Sequence, residues 1–128
     1  MKAKKYLKKI FHLLKQIPYG AVIHTSRVSH DYYFVGVRDR RKGNECVVYT
    51  VPNNVAPKNL NIKAIQRAEF DFLWAFLLKN NELRTRDFEV LTPDLIKEGT
   101  CCVAAFYGMI NQIYPSDFGK GHGVIYKK

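Results

Sequence analysis

Four cations crowd into the short stretch that holds Arg38, Arg40, Arg41 and Lys42, and they are the residue types that hold phosphate chains. A guanidinium is planar and forks two hydrogen bonds onto phosphate oxygens or a guanine edge, while an ammonium acts as a point charge. A second set, Lys4, Lys5, Lys8 and Lys9, continues through His12 and Lys15 at helical spacing with no acid among them. Tyr32, Tyr33, Phe34 and Tyr49 lie near the first cluster in sequence, and an exposed aromatic face offers stacking platforms worth about 1–3 kcal/mol per base. These residues point to a nucleic-acid-binding protein that contacts phosphates, DNA or RNA, through a basic hairpin and a Lys-rich helix.

The distribution of charge agrees. Residues 1–45 carry eleven Lys and Arg against three acids, a net of +8, residues 46–118 carry seven against eight, a net of −1, and the last ten residues add three lysines. A neutral middle with basic ends reads as a folded core presenting a cationic surface. Anionic membranes attract such surfaces too, but no apolar run approaches the roughly 20 residues of a membrane span, and no secretory apolar region follows the first lysines.

Residues suited to catalysis are scattered. His24, Asp31 and Glu45 are types that ligate a divalent ion, which makes a small metal-dependent nuclease one alternative, although no motif fixes their geometry. Cys46 with His24 is the only Cys and His nucleophile pairing that suggests itself, and nothing in the sequence brings the two into hydrogen-bond reach. Cys46, Cys101 and Cys102 form neither an even disulfide framework nor a C-x-x-C ligand pair, so reduced thiols in a cytoplasmic protein without metal or cofactor are expected. Gly119, Lys120, Gly121, His122 and Gly123 lack the rest of a phosphate-loop pattern and open no helix; Lys120 beside unshielded amides is expected only to add phosphate contacts. No catalytic signature emerges, and a non-enzymatic role is expected.

The elements that must position these residues read as one α+β domain over residues 1–128, with 1–57 (helix plus sheet) and 58–128 (helical) as sub-units too small to bury separate cores. An apolar content of 47%, with eight Phe, eight Tyr and one Trp, excludes intrinsic disorder. Ala3, Tyr6, Leu7, Ile10, Phe11, Leu14 and Ile17 recur at intervals of three and four, predicting an N-terminal amphipathic helix that ends before Pro18 and Gly20. Val22 to Val28, Tyr32 to Arg38 and Glu45 to Val51 predict a three-stranded antiparallel meander, with Gly43 and Asn44 closing the basic hairpin.

Pro52 to Pro57 stop the third strand, and Asn59 or Asn61 is placed to cap a helix from about Ile62 to Asn81. That helix carries Ile62, Ile65, Ala68, Phe72, Leu73 and Phe76 on one stripe. Phe70, Trp74, Leu77 and Leu78 form a second, so its latter half should be central. Thr85, the pair Thr92 and Pro93, and Thr100 mark the starts of three more helices. The last, Cys101 to Tyr114, has so few polar side chains that it must be a buried long helix or, as an alternative function, the apolar interface of a homodimeric interaction module.

Helix, three strands and helix across residues 3–80 resemble in order the double-stranded RNA-binding domain, whose last helix begins with a basic run where this chain has Lys58, Lys63 and Arg67. From Phe70 onward, a long helix, a short helix after Thr85, another after Thr100 and the stretch Gly119 to Tyr126 resemble a winged helix-turn-helix. That resemblance implies that the helix after Thr100 reads DNA. Its Cys101, Cys102, Val103, Ala104 and Ala105 supply none of the donors and acceptors that groove readout needs.

Overall fold

The computed structural model describes residues 5–23, 32–41, 44–51, 61–97 and 101–128. A 3₁₀ helix, Phe11–Gln16, precedes four strands, β1 (Val22–Ile23), β2 (Tyr32–Arg41), β3 (Asn44–Val51) and β4 (Asn61–Gln66), which lie in that order across one antiparallel sheet. Helix α1 (Arg67–Asn80) leads to β5 (Glu82–Arg84), α2 (Thr85–Leu91), α3 (Pro93–Ile96) and α4 (Cys101–Ile113). A hairpin of β6 (Phe118–Gly121) and β7 (Val124–Lys127) then pairs with β5 in a second antiparallel sheet ordered β5-β7-β6. The fold is mixed α and β, as expected. The half expected to be helical also holds this second sheet, because β5 and the hairpin pair with one another after α1. The elements depart from the sequence reading at three further places.

The first is the N-terminal stripe. Residues 5–10 are not helical, and the helix that follows is a single 3₁₀ segment. An α-helix would need the Leu7 carbonyl for its own ladder, but the Trp74 indole Nε1 donates to that oxygen at 2.8 Å. The Leu7 amide meets the Tyr114 hydroxyl at 3.4 Å. Lysines at 4, 5, 8 and 9 repel one another at helical spacing, so tertiary contacts win over a helix that gains nothing from its polar face. Ile10, Phe11 and Leu14 still reach the core, while Leu7 stays exposed.

The second is the start of α1. Ile62 and Ile65 stand on β4, a fourth strand of the meander, with Ile65 opposite Val47 and Ile62 opposite Thr50 on β3. The two side chains point to opposite faces, so Ile65 is fully buried and Ile62 is 63% exposed. Gln66 caps the helix instead, its backbone N–H donating to Glu69 Oε1 at 3.0 Å in a capping box. Asn81 ends α1 in the left-handed conformation at φ 62°.

The third is β2, which runs to Arg41 and pairs there with Asn44, so Arg40 and Arg41 belong to a strand and not to a loop. Of the expected strand Val22 to Val28, only Val22 and Ile23 are described, and residues 24–31 lie outside the described residues.

Helix α4 carries the burial predicted for it. Seven of its thirteen residues are buried, and it touches β1, β6 and the 3₁₀ helix, joining the two sheets. One continuous cluster of buried side chains runs from Phe11 and Tyr49 through Trp74 and Phe106 to Ile125, drawing on both halves of the chain. Within it, burial pushes the Cys102 thiol up to about 12, with Cys101 adding to the shift. At pH 8 Cys102 therefore stays in its unreactive thiol form. Cys46 is buried as well. A thiol-exchange reagent at pH 8 should therefore modify no more than one cysteine, Cys101, in the folded protein and all three in urea.

Candidate nucleic-acid interface

The hairpin is bent where β2 passes Gly36. Phe34 faces Tyr49 and Gly36 faces Val48, so Val35 is an extra residue in a β-bulge. Gly36 takes φ 147°, a conformation that side chains rarely adopt, and a Cβ there would meet Arg38 Nη1 at 2.7 Å. The close approach lets the Arg38 guanidinium fold back over the bulge and donate to the Val37 carbonyl at 3.1 Å. A second shift in register between Asp39 and Arg41 makes Arg40 the extra residue there.

A cleft of about 410 Å³ opens beside the first bulge. Lys15 from the end of the 3₁₀ helix, Tyr19 from the following turn, and Gly36, Arg38, Asp39 and Glu45 from the hairpin line it. The end of the 3₁₀ helix and the hairpin therefore share one face, and a cation from each, Lys15 and Arg38, reaches the same recess.

Part of that charge is neutralised within the protein. Lys15 Nζ lies 2.9 Å from Glu45 Oε2, and Arg67 Nη1 lies 2.8 Å from Glu45 Oε1. Arg67 also sits 3.9 Å from Asp71 and over the Phe11 ring at 5.9 Å. The hydrogen bond from Lys15, together with the charges of Lys15 and Arg67, holds the Glu45 carboxyl below its usual 4.5, against a smaller opposing effect of burial. A depressed carboxyl stabilises the fold above its unfolded pKa, and that contribution fades as pH falls through the folded value. On acidification below about pH 4.5, the melting temperature of the wild type should thus fall more steeply than that of Glu45→Gln, measured by circular dichroism in steps from pH 6 to pH 3.

The other residues singled out in the sequence fall as follows. Lys5, Lys8 and Lys9 are exposed and make no ion pair among the described residues. Arg40 and Arg41 are on β2, their side chains outside the described residues, as are Lys4 and Lys42 entirely. Lys120 is half-buried on β6 in the second sheet, with Nζ 3.5 Å from the Gly121 carbonyl, and β6 contributes nothing to the cleft. His24 and Asp31 lie outside the described residues, while Glu45, their suggested fellow metal ligand, already accepts from two cations.

The strand aromatics are mostly core. Tyr32, Phe34 and Tyr49 are buried, with Tyr32 and Tyr49 stacked at 6.0 Å, and only Tyr33 among the four is exposed. Among the described residues the most exposed aromatic is Tyr19, at 80%. Its signal in the sequence is its place between Pro18 and Gly20, where a turn carries a ring away from any apolar stripe.

Helix α4, placed as a reading helix by the likeness to a winged helix-turn-helix, has its apolar side chains in the core. Gln112 is its one exposed residue, and Nε2 of Gln112 donates to the Val22 carbonyl at 2.9 Å, which ties α4 to the first sheet. A helix so covered cannot lie in a groove, and the same burial removes the apolar face that an α4-mediated dimer would use. Comparison with protein-family models, with curated proteins and with solved structures gives no match.

Proposed function

We propose that this protein binds nucleic acid, holding phosphates with the basic hairpin (Arg38, Arg40, Arg41 and Lys42) and with Lys5, Lys8 and Lys9 of the N-terminal segment. The observation that carries this reading is the shared cleft: Lys15 and Arg38, distant in sequence, open onto one recess. Cations drawn from two segments onto one face form a track that matches a phosphate backbone better than isolated charges do. Glu45 takes up Lys15 and Arg67, which leaves Arg38 and the exposed N-terminal lysines as the residues available for phosphate.

Titration of a fluorescent oligonucleotide at 50 mM salt tests the reading. Replacing Lys5, Lys8 and Lys9 with Ala should weaken binding to every sequence alike, and replacing Arg38, Arg40, Arg41 and Lys42 with Ala should weaken it further, because phosphate contacts carry no sequence information. Unchanged affinity in both variants would remove these residues from the interface. Absence of binding by the wild type would end the proposal.

A further inference from the structure

We infer that the bound strand is single and that one of its unpaired bases enters the cleft beside the Gly36 bulge, stacked on Tyr19 with its amino-bearing edge against Asp39. The inference rests on the nucleic-acid reading above and names the form of that ligand.

Shape comes first. A duplex is read by a helix or a ribbon that projects into its groove; α4 is buried, and the β2–β3 ribbon is bulged at Val35 and again at Arg40, with the Arg38 guanidinium turned back onto the Val37 carbonyl. The cationic face instead presents a recess of about 410 Å³, within the range of sites that take up small planar ligands. Bases in a single strand are free to splay out into such a recess, and stacking on an aromatic ring holds them there. Tyr19 lines the recess with most of its ring in solvent, so it contributes little to the core and is available to a base.

The acids are the second argument. Asp39 and Glu45 stand directly opposite each other on β2 and β3 and both line the cleft. Like charges facing across strands destabilise a sheet, and a carboxylate repels the phosphates that the neighbouring cations attract. Glu45 is offset by Lys15 and Arg67, whereas the Asp39 side chain is exposed and makes no hydrogen bond or ion pair with another described residue. A carboxylate acceptor in a basic recess suits the exocyclic amino groups of cytosine, adenine and guanine, which thymine and uracil lack. Arg38, next in sequence and lining the same recess, is placed to take the phosphate of that nucleotide.

The experiment compares a labelled single-stranded oligo(dC), an oligo(dT) of equal length and a duplex of equal length at 50 mM salt, with wild type, Tyr19→Ala, Tyr19→Phe and Asp39→Asn. Circular dichroism confirms that each variant folds. The expected results are tighter binding of oligo(dC) than of either other ligand, a loss of about ten- to a hundredfold for oligo(dC) with Tyr19→Ala, and retention with Tyr19→Phe. Asp39→Asn should level oligo(dC) with oligo(dT). Duplex bound as tightly as single strand, or a Tyr19→Ala variant unchanged on oligo(dC), overturns the inference and leaves phosphate binding standing. Equal wild-type affinity for oligo(dC) and oligo(dT) overturns the role of Asp39. Failure of all three ligands to bind overturns the nucleic-acid reading itself.

Discussion

Replacing Trp74 with Ala should lower the free energy of unfolding by about 3–5 kcal/mol, the range for removing a large buried aromatic side chain. Trp74 is fully buried and lies where the N-terminal segment, α1, α4 and β6 converge. Its ring stacks on Tyr114 at 5.8 Å with an interplanar angle of 4°, and it meets Tyr6 and Phe118 edge-on at 6.0 and 5.6 Å. Its indole N–H is also what holds the Leu7 carbonyl out of a helix. The variant therefore loses packing and the anchor of residues 5–9 together. A domain of this size should melt about 10–20 °C lower as a result. Because Trp74 is the single tryptophan, the comparison must use circular dichroism in urea, with fluorescence reserved for the wild type. Trp74→Phe keeps most of the ring and removes the donor, and should cost about 1–2 kcal/mol. Trypsin should cut at Lys5, Lys8 or Lys9 sooner in the Ala variant, and equal cutting rates would show that the indole does not pin this segment.

The second large effect is on binding. Six phosphates neutralised on duplex DNA give a plot of log affinity against log salt with a slope near −5, and the same six on a single strand give about −4. Between 50 and 200 mM salt a slope of −5 weakens binding about a thousandfold. Substituting Ala for Arg38, Arg40, Arg41 and Lys42 removes up to four of these contacts and should bring the duplex slope to near −2. A wild-type slope near zero would mean that the cations play no part in binding, whatever its affinity. A steep slope that the substitutions leave unchanged would put the contacts elsewhere on the chain.

Much of the fold is legible in the sequence wherever local pattern and tertiary context agree. Tyr32 to Arg38 and Glu45 to Val51 are rich in β-branched and aromatic residues and are flanked by turn residues, and both are strands. Pro93 follows Thr92 at the first turn of α3, and the almost unbroken apolar run from Cys101 becomes the buried helix. The misreadings arise where a distant partner decides. Ile62 and Ile65 match a helical stripe, yet β3 offers them a ladder and Glu69 caps the chain at Gln66. The stripe from Tyr6 to Ile17 is as regular as any in the chain, but an indole 67 residues away takes the Leu7 carbonyl.

The candidate site was half visible. The cluster at Arg38 to Lys42 and the N-terminal lysines announce themselves by type, whereas the meeting of Lys15 with Arg38 in one cleft is a property of the folded chain. No spacing rule joins Lys15 to Glu45 or Glu45 to Arg67. The base-stacking role expected of Tyr32, Phe34 and Tyr49 failed because the sheet needs those rings inside. Tyr19 carries only the weak signal of a ring between Pro18 and Gly20, because a single aromatic in a turn belongs to no periodic stripe.

The seam around Tyr6 bears on the order in which the chain folds. Its hydroxyl is 3.3 Å from Asp117 Oδ2 across 111 positions of sequence, its ring rests on Tyr114 and Phe118, and Lys127 lies over it at 5.2 Å. Each of these partners follows Tyr6 by a long stretch of chain, so the contact closes a large loop and costs chain entropy before it is rewarded. Docking of the N-terminal segment onto this seam should therefore come late in folding, after the local hairpins and helices have formed.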